Sequence, residues 1–209
     1  MEKAQIFAKK LLQINALKFN MFEPFVWASG WRAPVYCDNR KILSHPNLRD
    51  YVKIELANSV SKNFPNADTI AGVAIAGVPH GTLVADLLHL PFIHVRSRKK
   101  DHGLENRIEG ELIKGQKVVV IEDLVSTGKS SLEAVEVLRD AGAEVTGMCA
   151  LFTYGFPQTE AAFQKVGVTL FAISNYSTLI ELAEDLKIIN AEDKQRLSEW
   201  RINPDEWGR

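Results

Sequence analysis

Val118-Val119-Val120-Ile121-Glu122-Asp123-Leu124-Val125-Ser126-Thr127-Gly128-Lys129-Ser130-Ser131 reads as a buried strand that ends in two carboxylates and turns through a small hydroxylated loop into a helix. The β-branched run Val118 to Ile121 has the composition of a strand covered on both faces. Beyond it, Ser130 to Ala141 sets Leu132, Val135 and Leu138 on one helical face, with Glu133, Glu136, Arg139 and Asp140 elsewhere, and Gly142 supplies the stop. Similar apolar runs lie outward on both sides, at Thr69 to Ile75, Pro91 to Val95, Val145 to Phe152 and Val168 to Ile173. Each is dense in β-branched or aromatic residues, and from about Asp68 onward they alternate with stretches of helical period. That alternation predicts the α/β class, with a five-stranded parallel sheet core flanked by helices.

Ahead of the sheet, Met1 to Leu17 reads as an amphipathic helix and a second helix is expected near Asn47 to Lys62. The aromatic, turn-rich stretch Phe22 to Arg40 between them has no clear period. Near the other end, Asn190 is placed to cap a short helix running to about Arg201, which Pro204 ends. One domain over residues 1–209 is expected, with about 1–40 as an N-terminal appendage and about 68–175 as the core.

Composition excludes several classes. Lysine plus arginine number 25 against 26 aspartates and glutamates, so the net charge of −1 asks for no nucleic-acid or membrane partner. Met1 to Leu17 carries Glu2, Lys3, Lys9 and Lys10 among its apolar pairs, unlike a signal peptide. No apolar run reaches the roughly 20 residues that span a bilayer. Cys37 and Cys149 make neither a disulfide framework nor a metal-ligand pattern. A cytoplasmic, reduced protein is the expectation.

The opening stretch also carries chemistry. A strand-to-helix turn aims backbone N–H groups and the positive end of the helix dipole at one point, which suits a phosphate dianion. Ser126, Thr127, Ser130 and Ser131 add hydroxyls, and Gly128 lets the backbone close in. Glu122 and Asp123 are unfavourable beside an anion unless they bind hydroxyls or a cation; a ribose diol and Mg²⁺ supply both. A nucleotide-triphosphate loop fails on spacing, because Asp123 stands five positions before Gly128 where that motif needs glycine. The bland alternative is a plain connection with capping serines.

With these residues in view, Val118 to Ser131 resembles the PRPP-binding motif of type I phosphoribosyltransferases, PRPP being phosphoribosyl pyrophosphate. The resemblance implies a PRPP site over Glu122, Asp123, Leu124, Val125, Ser126, Thr127, Gly128, Lys129 and Ser130, with the acids on the ribose hydroxyls and the turn on the 5-phosphate. Arg96-Ser97-Arg98-Lys99-Lys100-Asp101-His102-Gly103 is a basic loop hinged by Gly103 and Gly110. Its Lys-Asp-His-Gly core resembles the mobile catalytic loop of orotate phosphoribosyltransferases. By position, that resemblance gives Arg96, Lys100 and His102 catalytic roles on PRPP and its pyrophosphate, commonly in the partner subunit's site of a homodimer. Phe25 to Asp38 is similar to the segment that forms a small hood over orotate in that family, which points to Ser29, Tyr36, Arg40 and Ser126 as contacts to the base.

The chain departs from the family pattern at several places. Ala28 and Ser97 stand where many members have lysine, and Ala76-Gly77 replaces part of a Tyr-Lys-Gly turn. Tyr154 stands where other branches have an arginine for the orotate carboxylate, leaving Arg40 or Arg32 for that role. The resemblance covers about Phe19 to Phe171 and assigns no function to the C-terminal helix. It implies transfer of ribose 5-phosphate from PRPP to orotate, with Mg²⁺ as cofactor, no direct protein ligand to the metal identified, and no nucleic acid or membrane involved. A purine or uracil phosphoribosyltransferase would share the cradle but lack the Lys100-Asp101-His102-Gly103 core. A non-catalytic regulator that senses PRPP would need a basic face for nucleic acid.

Overall fold

The apolar runs come together in one sheet, and the order of its strands explains where a ligand can sit. The computed structural model describes residues 2–27, 30–96 and 107–207. The chain begins with α1 (Lys3–Gln13), β1 (Leu17–Phe19), β2 (Phe25–Val26), β3 (Arg32–Ala33) and β4 (Val35–Cys37), then a 3-10 turn at Asn39–Ser44 and α2 (Pro46–Asn63). The core follows as β5 (Thr69–Val73), α3 (Gly77–Leu88), β6 (Phe92–Val95), β7 (Ile108–Glu109), β8 (Lys117–Val125), α4 (Lys129–Asp140), β9 (Glu144–Thr153), α5 (Pro157–Val166) and β10 (Leu170–Asn175). It ends with α6 (Tyr176–Asp185) and α7 (Ala191–Ile202).

The main sheet has the order β10-β9-β8-β5-β6-β7. Its first five strands are parallel neighbours and correspond to the five expected runs. The sixth, β7, is a two-residue antiparallel addition to β6, too short to show a period in sequence. From β5 the chain moves to β6 on one side, then returns to β8 on the other. The switch point therefore lies between β5 and β8, and the carboxyl ends of those strands flank the crevice where α/β sheets bind ligands.

Packing fixes that crevice. A Cβ on Gly77 would stand 2.5 Å from the Ile121 carbonyl oxygen, so only glycine lets α3 start hard against β8. Pro79 falls in the first turn of α3, where its missing N–H costs no helical bond. The sheet is covered on both faces, which is why its strands are apolar throughout. Val119 and Ile121 face a core shared with α1, α2, α3, α6 and α7. Val118 and Val120 face a second core built on α4 and α5.

Several expectations shift. The first helix stops at Gln13 because Asn15 takes a left-handed conformation (φ 52°), after which Leu17–Phe19 pairs with β4. The stretch Phe22 to Arg40 holds the small antiparallel pair of β2 with β3, and its β4 pairs with β1 from just before it. The C-terminal helix is capped as expected, the Asn190 side chain accepting from the Asp193 N–H and the Asp193 carboxylate accepting from the Asn190 N–H.

Candidate active site

The two acids of β8 illustrate how local pattern becomes geometry. Consecutive strand residues start from opposite faces, so Glu122 leaves on the α4 side and Asp123 on the side of the N-terminal segment. Glu122 is 4 % exposed; its carboxyl accepts from the Ser131 hydroxyl at 3.1 Å and from the Asp123 N–H at 3.1 Å. Burial raises its proton affinity well above the usual carboxylate range, and the neighbouring Asp123 charge adds to the rise. Asp123 is half-buried and lines a cleft; burial also raises its pKa, while hydrogen bonds from Glu122 and the backbone oppose the shift. Glu122 is thus the buried member of the pair, and Asp123 the one that opens on the cleft.

Beyond the acids, Ser126 to Gly128 turns the chain into α4. Gly128 has φ 75°, and a Cβ there would meet the Phe163 ring at 2.9 Å and the Thr159 methyl at 3.1 Å. Both the conformation and the space demand glycine. The turn is pinned from beneath by the Thr159 hydroxyl, which donates to the Ser126 carbonyl at 2.9 Å. Gly128 caps α4 without a side-chain acceptor, and the Thr127 hydroxyl oxygen makes only a long 3.5 Å contact with the Lys129 N–H. The first turn of the helix therefore offers its N–H groups outward, with Lys129 and Ser130 exposed.

A cleft of about 450 Å³ adjoins this turn. Tyr36, Arg40 and Trp27 line one wall, and Asp123, Ser126 and Thr127 the other, with Ala76 from the turn after β5 also present. Arg40 is exposed; its Nε donates to Asp38 Oδ1 at 2.6 Å and its Nη2 to the Tyr36 hydroxyl at 3.4 Å. That hydrogen bond holds the Asp38 carboxyl below its ordinary range. Asp38 also lines the cleft. Arg32, the other candidate cation for the base, is exposed on β3 and is not part of the lining.

Tyr154 borders the cleft but is 1 % exposed, and burial pushes its phenol well above the ordinary range. It stacks on Phe156 at 5.5 Å between centroids and touches Trp27 at 4.7 Å. Trp200 of α7 packs edge-on against Trp27, Tyr154 and Phe156, and its Nε1 donates to the Arg32 carbonyl at 3.1 Å. Arg201 donates twice to the Gly155 carbonyl. The C-terminal helix is therefore a support of the cleft wall, which sequence did not assign to it. Trp27 and Trp31 pack on this cluster.

Arg96 follows β6 on the same carboxyl edge, half-buried, with its guanidinium 3.3 Å from Glu109 Oε1. Its backbone pairs with Arg107, whose guanidinium donates to Glu133 of α4 at 2.8 Å. The structure thus brings Arg96, Tyr36, Arg40 and the stretch from Glu122 to Ser130 to one edge of the sheet. Leu124 forms part of the cleft lining, whereas Val125 is fully buried and supports the turn from below. Ser29, Lys100 and His102 lie outside the described residues, as does Ala28. His80 is buried at the start of α3 and is held neutral by that burial, its pKa lowered to about 4. Among the described residues no group of three or more His, Cys, Asp or Glu is arranged to hold a metal ion.

Two contributors escaped the sequence reading. Asn39, 1 % exposed, donates from Nδ2 to the Asp123 carbonyl at 2.7 Å, and Trp200 closes the aromatic cluster. Neither has a signature, since one is a polar residue between two charged ones and the other lies far along the chain on an otherwise polar helix.

Known proteins agree with this layout. The phosphoribosyl transferase domain family matches residues 39–179. An orotate phosphoribosyltransferase of Bacteroides thetaiotaomicron is 53 % identical over 203 residues, covering 97 % of this chain and 96 % of that protein. Among solved structures, orotate phosphoribosyltransferase from Aeropyrum pernix superposes with a TM-score of 0.76 at 29 % identity, over 88 % of this chain and 99 % of that one. Leishmania donovani UMP synthase gives a TM-score of 0.79 at 29 % identity over 94 % of this chain, which spans 42 % of that longer protein. With a strand-to-helix turn and a cleft meeting at the switch point of a type I phosphoribosyltransferase sheet, and relatives that match it almost end to end, the chain belongs to the orotate phosphoribosyltransferase family.

Proposed function

We propose that the chain transfers ribose 5-phosphate from PRPP to orotate, giving orotidine 5′-monophosphate and pyrophosphate in the de novo route to UMP, with the residues of the carboxyl edge in the roles that follow. The observation that carries these roles is the shared wall: Asp123 and Ser126 belong at once to the phosphate turn and to the cleft bounded by Tyr36 and Arg40. A sugar held between them has its 5-phosphate at the helix and its anomeric carbon toward the base.

The backbone of Ser126 to Ser130 and the hydroxyls of Ser126, Thr127 and Ser130 bind the 5-phosphate, with Lys129 adding positive charge at its rim. Asp123 takes the ribose hydroxyls, and Glu122 braces it from beneath through the Asp123 N–H. Orotate lies over Tyr36, and the Arg40 guanidinium holds its carboxylate. Arginine has five donors in a planar fork, and Asp38 and Tyr36 engage one edge, leaving a second for the substrate. Ser126 and Ser29 complete the base contacts.

During transfer the C1–O bond to pyrophosphate breaks, the leaving oxygens take the electron pair, and N1 of deprotonated orotate bonds to C1 with inversion. Arg96, Lys100 and His102 stabilise the charge that builds on the pyrophosphate, a contribution made mainly in the transition state. Mg²⁺, when bound, would supply further charge neutralisation to that group. The residues fit it, because Mg²⁺ is usually held by one or two carboxylates with substrate phosphates and water, and Asp123 is a hard oxygen donor opening on the cleft.

The chain works as a single domain and a homodimer in the cytoplasm. No described helix is long and apolar enough to cross a membrane, and both cysteines are free and buried. The shared loop has a direct test: mixing Lys100→Ala and Asp123→Asn subunits restores part of the activity if Lys100 serves the partner's site, and restores none if it serves its own. The assignment as a whole is tested by a spectroscopic assay with PRPP and Mg²⁺, offering orotate beside uracil, adenine, hypoxanthine and xanthine. Consumption of orotate alone is expected. Turnover of another base in its place would overturn the pocket reading.

A further inference from the structure

Asn39 is a polar side chain buried to 1 % exposure at the junction of the N-terminal segment and the sheet. Its amide is held at both ends. The Cys37 thiol donates to Oδ1 at 3.2 Å, and Nδ2 donates to the Asp123 carbonyl at 2.7 Å. Burial, with Asp123 and Asp38 nearby, raises the Cys37 thiol well above its ordinary range, so it remains a protonated donor. The two partners together fix which end of the amide carries the nitrogen, since a thiol hydrogen needs an acceptor and a carbonyl needs a donor.

The place of this contact is as telling as its length. The ladder between β5 and β8 stops at Gly72 and Ile121, two residues short of Asp123. Past that point the sheet opens into the crevice, and β8 carries its acids beyond the support of β5. Asn39 reaches the backbone there from a segment 84 positions earlier in the chain. That segment also carries Tyr36 and Arg40, so one amide joins the cleft's base wall to the backbone of the acid on its sugar wall.

We propose that Asn39 is a positioning residue for phosphoribosyl transfer, its amide locking the Asp123 peptide so that the Asp123 carboxylate meets the ribose hydroxyls in register with the base wall. The proposal rests on the ribose role given to Asp123. A buried amide that merely filled space would be indifferent to what stands at position 123; one that acts through Asp123 loses its purpose when that carboxylate is gone.

The test is a double-mutant cycle on the full chain, with Asn39→Ala, Asp123→Ala and the combination, reading KM for PRPP, kcat and melting temperature. Asn39→Ala is expected to raise KM for PRPP about tenfold, the scale of one hydrogen bond to a binding group, with kcat changed less. In the Asp123→Ala background the same substitution is expected to change PRPP binding less than twofold. Equal effects in both backgrounds, or a loss of melting temperature with PRPP KM unchanged, would overturn the proposal. Asn39→Asp is the second variant, because it keeps the shape and the acceptor for Cys37 and puts an oxygen that repels the Asp123 carbonyl where the donor stood. It should reproduce the PRPP defect, and a wild-type KM would again count against the role. If Asp123→Ala by itself leaves PRPP affinity intact, the ribose assignment fails first, which separates that failure from failure of the positioning step.

Discussion

The phosphate turn and the base cleft share a wall, yet they are built in opposite ways. The turn is local: strand, acids, glycine and helix lie within Val118 to Ser131, and the groups that matter are backbone N–H donors whose direction follows from the helix itself. The cleft is assembled from four distant pieces, with Tyr36 and Arg40 from the N-terminal segment, Ala76 after β5, Asp123, Leu124, Ser126 and Thr127 from the end of β8 and the turn after it, and Tyr154 after β9. Its aromatic backing comes from Trp200, near the far end of the chain. A phosphate site can be carried by one continuous segment because backbone geometry does the recognition. A site that chooses between bases needs side chains from several directions, and only a folded chain supplies those.

This contrast can be tested at graded strength. The largest effect is expected at Lys100, proposed to act on the pyrophosphate: Lys100→Ala should lower kcat by about 10²–10³-fold, the scale of losing one preorganised donor to developing charge, with the melting temperature unchanged. An unaltered kcat in steady-state assays would remove the loop from the chemistry. Next, Asp123→Asn should raise KM for PRPP by about 10-fold or more, since hydrogen bonds to charged groups contribute roughly 1.5–3 kcal/mol. Equal weakening of orotate alone would place the acid in the wrong half of the site.

Arg40→Ala should do the reverse, raising KM for orotate about tenfold while PRPP is little affected. Uracil, which has no carboxylate, gives the sharper reading: discrimination between orotate and uracil should fall, and if it holds, another cation recognises the carboxylate. Smallest of all, Trp200→Phe removes the hydrogen bond to Arg32 but keeps an aromatic ring. It should cost about 1 kcal/mol of stability and raise orotate KM a few-fold, as followed by thermal melts and initial rates. A shift in PRPP binding instead would dissolve the distinction between the two regions.

Much of this molecule is legible in its sequence, for a reason that is local in each case. Five apolar runs with helical stretches between them are enough to specify a parallel sheet, because a strand buried on both faces must be apolar at every position. The order Glu122-Asp123, Ser126-Thr127 and Gly128 specifies the cradle, because a left-handed glycine between a strand and a helix leaves few other conformations. Asn190 announces its helix through a cap that closes within three residues.

The tertiary structure decided the rest. Nothing in the adjacency of Glu122 and Asp123 says that one is buried under Ser131 while the other opens on the cleft; the alternation of a strand placed between two cores does that. Tyr154 reads only as a departure from the family's arginine, and the fold buries it in the aromatic cluster that backs the cleft. Arg40 lines the cleft and Arg32 does not, a difference that appears only when the short β1–β4 pair and the segment after it are folded against the sheet. Asn39 and Trp200 gain their roles from residues 84 and 168 positions away. Such contacts follow no period and no motif, because the partners are brought together by the burial of apolar surface over the whole chain, and their identities are fixed only once that burial is complete.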